Sequence, residues 1–264
     1  MSVLEAVFLG IIQGIAEFLP ISSSGHLALF QRLFGIEEAT LSFDVLLHVG
    51  TLIPVCIIYW KELMKLLRKP FQKTTYLLIV GTIPAVVAAL VLGDVIESLL
   101  TNMLFLAGGF ALTAVILFLA DKVRPGTKEE RDMTYVDALL IGCAQGVAIA
   151  PAISRSGSTI SASLLRGLNR ETAARFSFLL SIPAILGAAV LEMKDVVAGG
   201  EFLAGISPVS AIAGFLAAAL SGYLAIQFLL RLIRNAKLKY FSVYLLALSA
   251  FILVDQLLLG KALL

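Results

Sequence analysis

Gln13–Gly25 reads QGIAEFLPISSSG, and Gln145–Gly157 reads QGVAIAPAISRSG. Aligned without gaps, seven of the thirteen positions are identical: Gln, Gly, Ala, Ile, Ser, Ser and Gly. Each stretch joins an apolar helix (about Val3–Leu19, about Val136–Ala150) to a polar turn and a short helix (about Leu27–Phe34 in the first, ending near Leu168 in the second). Neither piece, with its polar tip, reads as an ordinary membrane span. Three apolar runs follow each, long enough to cross roughly 30 Å of hydrocarbon: Phe43–Trp60, Thr75–Gly93 and Met103–Ala120, then Phe176–Leu191, Pro208–Leu230 and Phe241–Leu259. The chain is therefore expected to be an all-α integral membrane protein of six spans and two re-entrant hairpins. It forms a single transmembrane domain with an internal repeat. The halves cover about residues 1–120 and 135–264, joined by a charged loop at 121–134.

Composition agrees. Of 264 residues, 59% are hydrophobic and 14% charged, against roughly a quarter charged in soluble domains. Cys56 and Cys143 lie inside apolar runs, without the spacing of a disulfide framework or a metal site. The N-terminus lacks a basic start and a small-residue cleavage site, so it is expected to stay in the fold. Gly10, Gly14, Gly142 and Gly146 suit close helix packing.

Charge fixes orientation. Sixteen of the twenty Lys and Arg fall in four clusters, at 61–73, 122–131, 166–175 and 231–239. Glu37, Glu38, Asp44, Asp94, Glu97, Glu192, Asp195 and Glu201 fill the intervening segments. The positive-inside rule puts all four clusters on the cytoplasmic side. That works only if each broken helix enters and leaves by one face. The halves are then inverted, both termini lie outside, and the tips meet from opposite leaflets near mid-membrane, a recurring plan for polar sites in bilayers. The basic clusters read as topology signals and lipid-headgroup contacts, not as nucleic-acid sites.

Ionisable residues at membrane depth are functional candidates by default. The first tip offers Glu17, Ser22, Ser23, Ser24 and His26; the second offers Ser154, Arg155, Ser156, Ser158 and Thr159. Arg155 carries a planar fork suited to phosphate oxygens, with hydroxyls and helix N-termini as further anion donors. His26 beside a serine suits a base, and Glu17 suits a divalent-ion ligand or an orienting acid. Together they suit phosphoanhydride hydrolysis on a lipid. Blander readings stand beside these: the serines as helix caps, Glu17–Arg155 as a structural ion pair, and His48 as a buried histidine bonded to a neighbour. Asp255, in the last span, has no assigned role.

Gln13–His26 fits the first signature of the undecaprenyl-pyrophosphate phosphatase, or bacitracin-resistance, family. Pro151–Thr159 resembles its second, PGxSRSGxT, and Phe176–Pro183 also looks like the family. The resemblance covers essentially the whole chain. It implies hydrolysis of undecaprenyl diphosphate to the monophosphate and inorganic phosphate. It also implies a divalent cofactor, Mg²⁺ or Ca²⁺, with Glu17 as metal ligand, and a site opening to the outer side of the bacterial inner (cytoplasmic) membrane. The family's functional positions fall on Glu17, Ser23, His26, Arg155 and Thr159, with Ser154 and Gln13 in support; the residues themselves allow either attack by Ser23 with His26 as base or direct attack by water that His26 activates. Arg155, Ser154, Ser156, Thr159, Ser22, Ser24 and Gln13 would bind substrate. Partners are the isoprenoid diphosphate lipid and membrane lipids, with a homodimer left open. Two positions depart: Gln13 stands where some members have Glu, and Ala152 where the signature has Gly. The rival classes are a transporter or flippase of an anionic isoprenoid lipid, and a membrane subunit without chemistry of its own.

Overall fold

The computed structural model describes the chain except residues 37–40, 125, 198–202, 204, 236–237 and 259–264, and the side chains at 94, 97, 192, 195–197 and 234–235. Glu37, Glu38, Glu201 and Lys237 of the charge map thus lie outside the described residues, as do the side chains of Asp94, Glu97, Glu192, Asp195 and Arg234.

The described residues form eleven α-helices and no strand. In chain order these are α1 (Val3–Phe18), α2 (Ser23–Leu33), α3 (Leu41–Ile58), α4 (Trp60–Arg68), α5 (Lys73–Leu100) and α6 (Met103–Asp121). Then come α7 (Tyr135–Val147), α8 (Arg155–Leu165), α9 (Arg170–Val197), α10 (Pro208–Asn235) and α11 (Lys239–Leu257). Six helices, α3, α5, α6, α9, α10 and α11, are long and apolar enough to cross a membrane. Their outer faces expose large apolar side chains such as Ile57, Leu90, Val91 and Leu220. Lipid is the solvent that accepts such a surface, and the chain is a multi-pass membrane protein.

The first basic cluster, which the sequence reading leaves as a cytoplasmic connection after the Phe43–Trp60 span, is largely helical, because residues 60–68 form α4. Trp60, Leu63 and Leu67 recur at helical spacing among Lys61, Lys65 and Arg68, which is the pattern of an amphipathic helix.

Small residues set the helix pairing. A Cβ built on Gly14 falls 2.1 Å from Ser221 Oγ, so α1 presses directly on α10. One built on Gly142 falls 2.4 Å from the Gly81 carbonyl oxygen, so α7 presses on α5. Each short helix of one half is thus seated on a 28-residue helix of the other. The α7–α8 pair closes as a hairpin, because Arg166 at the end of α8 donates to Asp137 in the first turn of α7 at 2.7 Å. At the far end of the bundle, Phe8 of α1 stands edge-on to Phe30 and Phe34 of α2. There Ser210, at the start of α10, donates to the Met1 carbonyl. The basic clusters gather at the opposite end. Lys73 donates to the Arg131 carbonyl, Arg175 pairs with Glu130 at 3.2 Å, and the Leu238 amide donates to Asp121.

Candidate functional site

The polar tips are helix starts more than turns. Ser22 caps α2 and Ser154 caps α8, each accepting from the amide three residues on, Gly25 at 3.4 Å and Gly157 at 3.0 Å. Such caps are worth about 1 kcal/mol each, so the capping reading holds for these two serines. The turns are forced by unusual backbone. Ser22 has φ 70° and Ala152 φ 61°, the left-handed region that non-glycine residues pay roughly 1–2 kcal/mol to enter. A glycine at position 152 would enter this region without that cost.

The tips meet. A Cβ on Gly25 would fall 2.8 Å from Ala152 Cα, and Ser156 Oγ donates to the Leu19 carbonyl at 3.1 Å. Thr113 of α6 latches the second tip, donating to the Ala152 carbonyl and accepting from the Ser154 amide at 3.0 Å.

At the meeting point lies a cavity of about 270 Å³ lined by Glu17, Ser22, Ser23, Ser24, His48, Ser154 and Arg155, with apolar walls from the turn between α7 and α8 and from α9. Glu17 is its hub. Arg155 Nη2 donates to Oε1 at 2.5 Å, while Ser23 Oγ (2.7 Å) and Gln13 Nε2 (3.0 Å) donate to Oε2. The Glu17 side chain is only 5% exposed. Arg155 is steadied by the Ser177 carbonyl at 3.2 Å.

Other expected residues stand elsewhere. His26 does not face Ser23. It is buried, with Nδ1 2.8 Å from the Ser22 carbonyl oxygen and Nε2 2.7 Å from Tyr244 Oη, and it stacks on the Tyr244 ring. It anchors the tip to α11 and is absent from the cavity lining. The imidazole in the cavity is His48, read from sequence as a buried histidine bonded to a neighbour. Its Nε2 lies 3.4 Å from Glu17 Oε2, and its Nδ1 2.7 Å from the Asp44 carbonyl oxygen. With Nδ1 held at that carbonyl, Nε2 faces the cavity. Gln13, Ser156 and Thr159 do not line the cavity either. Gln13 supports Glu17 from behind. Thr159 bonds Ser177 Oγ at 2.6 Å, beneath the carbonyl that steadies Arg155. Ser177 was signalled only by the family-like Phe176–Pro183 segment. Tyr244 and Thr113 carried no sequence signal.

For a divalent ion, no group of three or more His, Cys, Asp or Glu among the described residues is arranged to hold a metal. Glu17 offers one carboxylate, already shared with Arg155. Gln13 Oε1 beside it is buried without a partner. These two oxygens fit part of a Mg²⁺-type shell, which ordinarily keeps waters and takes substrate phosphate oxygens.

A bundle of six spans with an arginine–carboxylate pair and serines clustered between its polar tips defines a polytopic membrane protein with a polar site inside the bundle. The chain belongs to the bacitracin resistance protein BacA family, whose model matches residues 6–251. It is 49% identical over 256 residues to the undecaprenyl-diphosphatase of Carboxydothermus hydrogenoformans, covering 97% of this chain and 98% of that protein. It is equally similar, with the same coverage, to undecaprenyl-diphosphatase 3 of Bacillus cereus. A relative from Methanosphaera stadtmanae, also called undecaprenyl-diphosphatase, is 39% identical over 92% of this chain and 94% of its own.

Proposed function

We propose that the chain hydrolyses undecaprenyl diphosphate to undecaprenyl phosphate and inorganic phosphate, returning the lipid carrier to cell-wall synthesis. The observation that carries this is the Glu17–Ser23–Arg155 constellation, assembled from residues 138 apart in a membrane-spanning protein. Arg155 grips the diphosphate with its fork, exchanging part of its bond to Glu17 for phosphate oxygens. Ser23 Oγ attacks the terminal phosphorus. Its proton passes to Glu17 Oε2, with His48 Nε2 next in reach. The anhydride P–O bond breaks, undecaprenyl phosphate leaves, and water then clears the phosphoserine. Glu17 and Gln13 Oε1 would hold a divalent ion, Mg²⁺ or Ca²⁺, which neutralises charge on the phosphates. Ser22, Ser24 and Ser154 border the bound headgroup; Gln13, Ser156 and Thr159 hold its frame.

The reciprocal seating of α1 on α10 and α7 on α5 supports an inverted repeat of halves 1–120 and 135–264. The gathering of the basic clusters at one end supports an inner-membrane orientation with termini and active site toward the outside.

The test is phosphate release from a long-chain isoprenyl diphosphate by purified protein in detergent, where transport is impossible. Release is expected from the wild type, falling with chelator and nearly lost in Ser23→Ala and Arg155→Lys. Near-normal release by a folded Arg155→Lys overturns the pocket, because a point charge does not replace the fork.

A further inference from the structure

A second, larger cavity of about 850 Å³ opens at the basic end of the bundle and shares no residue with the Glu17 site. It lies among α4, the start of α5, the 129–131 loop and the start of α9. Its lining carries five bases (Lys61, Lys65, Arg131, Arg170, Arg175) against four acids (Glu62, Glu129, Glu130, Glu171). Two of the acids are engaged within the chain. Glu130 takes Arg175 Nη2 and the Thr74 hydroxyl, and Glu129 takes Arg131 at 3.3 Å.

Three lining atoms are buried without a hydrogen-bond partner: Gln72 Nε2, Arg170 Nη1 and Arg175 Nε. All three are donors. Buried donors without acceptors are costly, and one anion with several oxygens would satisfy all three. Two 28-residue helices also begin here. Gln72, the N-cap of α5, makes no side-chain cap bond, and its amide is left for the cavity. Both helix starts favour an anion.

What lies next to the cavity narrows the anion. An apolar groove of about 430 Å³ runs on along α5, lined by Leu78, Ile79, Ile83, Val86 and Val87, with Pro183 of α9 as its other wall. Its lining begins at Thr75, next to Thr74 of the cavity, and its Pro183 wall stands one turn beyond Leu179 of the cavity. A charged cleft leading into a greasy channel has the shape of a headgroup joined to a chain.

We infer that this end of the protein binds a membrane lipid with a phosphate-monoester headgroup. The phosphate sits against Arg170, Arg175 and Gln72, and the first part of the hydrocarbon chain lies in the α5–α9 groove. This stands apart from the hydrolytic reading, since neither site uses the other's residues.

The experiment measures binding of fluorescent phosphatidic acid to the full-length protein in detergent, with unlabelled lipids or inorganic phosphate as competitors. Phosphatidic acid is expected to displace the probe, while phosphatidylcholine and millimolar inorganic phosphate do not. Arg170→Gln is expected to weaken binding about tenfold, the worth of one charge-assisted hydrogen bond. Phosphate release at the central site should be unchanged. If Arg170→Gln does not fold, Gln72→Met removes one orphaned donor without touching a charge and is expected to weaken binding several-fold. Wild-type affinity in the folded variant overturns the site. Equal displacement by inorganic phosphate overturns the lipid, since the groove would then contribute nothing.

Discussion

The bond between Glu17 and Arg155 can be tested by removing each charge alone and then both together. Their side chains are 5% and 15% exposed. Breaking a buried ion pair by deleting one partner typically costs roughly 3–5 kcal/mol, because the other charge is left uncompensated. In Arg155→Met, Glu17 keeps the hydrogen bonds from Ser23 and Gln13, which trims the cost to about 2–4 kcal/mol. For a chain of this size that is a drop of roughly 6–12 °C in the apparent unfolding midpoint. Glu17→Gln leaves the guanidinium with the Ser177 carbonyl, so it too is destabilised. In the double variant neither charge remains, and its midpoint should return to within about 4 °C of wild type, a coupling of at least ~1.5 kcal/mol. The assay is the fraction of protein that stays monodisperse in detergent after heating at a fixed rate, which treats the midpoint as operational. All three variants should lose phosphate release, so stability and activity separate in the double variant. Additive losses of stability would show that the carboxylate and guanidinium do not meet, and the assembled site would fall with them.

Three further outcomes follow from packing and backbone. Ala152→Gly relieves the left-handed backbone at φ 61° and should leave the midpoint level or raise it by up to about 2 °C, whereas a Val there should lower it sharply; a large loss on Ala152→Gly would contradict that turn. Gly142→Ala drives a methyl to within 2.4 Å of the Gly81 carbonyl and should cost about 1–3 kcal/mol, while Gly108→Ala, with open space around it, should cost nothing measurable in the same heating assay. Tyr244→Phe leaves His26 Nε2 buried without its partner, an expected loss of roughly 1–3 kcal/mol; an unchanged midpoint would show that this bond does not hold the tip.

The spans and the meeting of the tips were legible because length, hydropathy and the repeated QG…SxSG block constrain them directly. Glu17 and Arg155 were legible as a pair because hydrocarbon leaves an acid and a base few other neighbours. The surroundings of the two imidazoles were not legible. His26 follows Ser23 by three residues, which suggests partnership. Yet on α2 the side chain turns to Tyr244, 218 residues away, and stacks there. His48 reaches Glu17 only because α3 lies against α1, and nothing in its own apolar run announces that neighbour. The helix at 60–68 was visible in principle, in the spacing of Trp60, Leu63 and Leu67, but the density of Lys and Arg drew the reading to charge.

The seating of α1 on α10 has a consequence for synthesis. The ribosome delivers Glu17 long before the groove that receives its helix, and 138 residues before its guanidinium partner. At roughly 5–20 residues per second, about seven to twenty-eight seconds pass between the making of that carboxylate and of its guanidinium partner. Glu17 and Arg155 can meet only after the second polar tip has been made, so the central site closes late in synthesis.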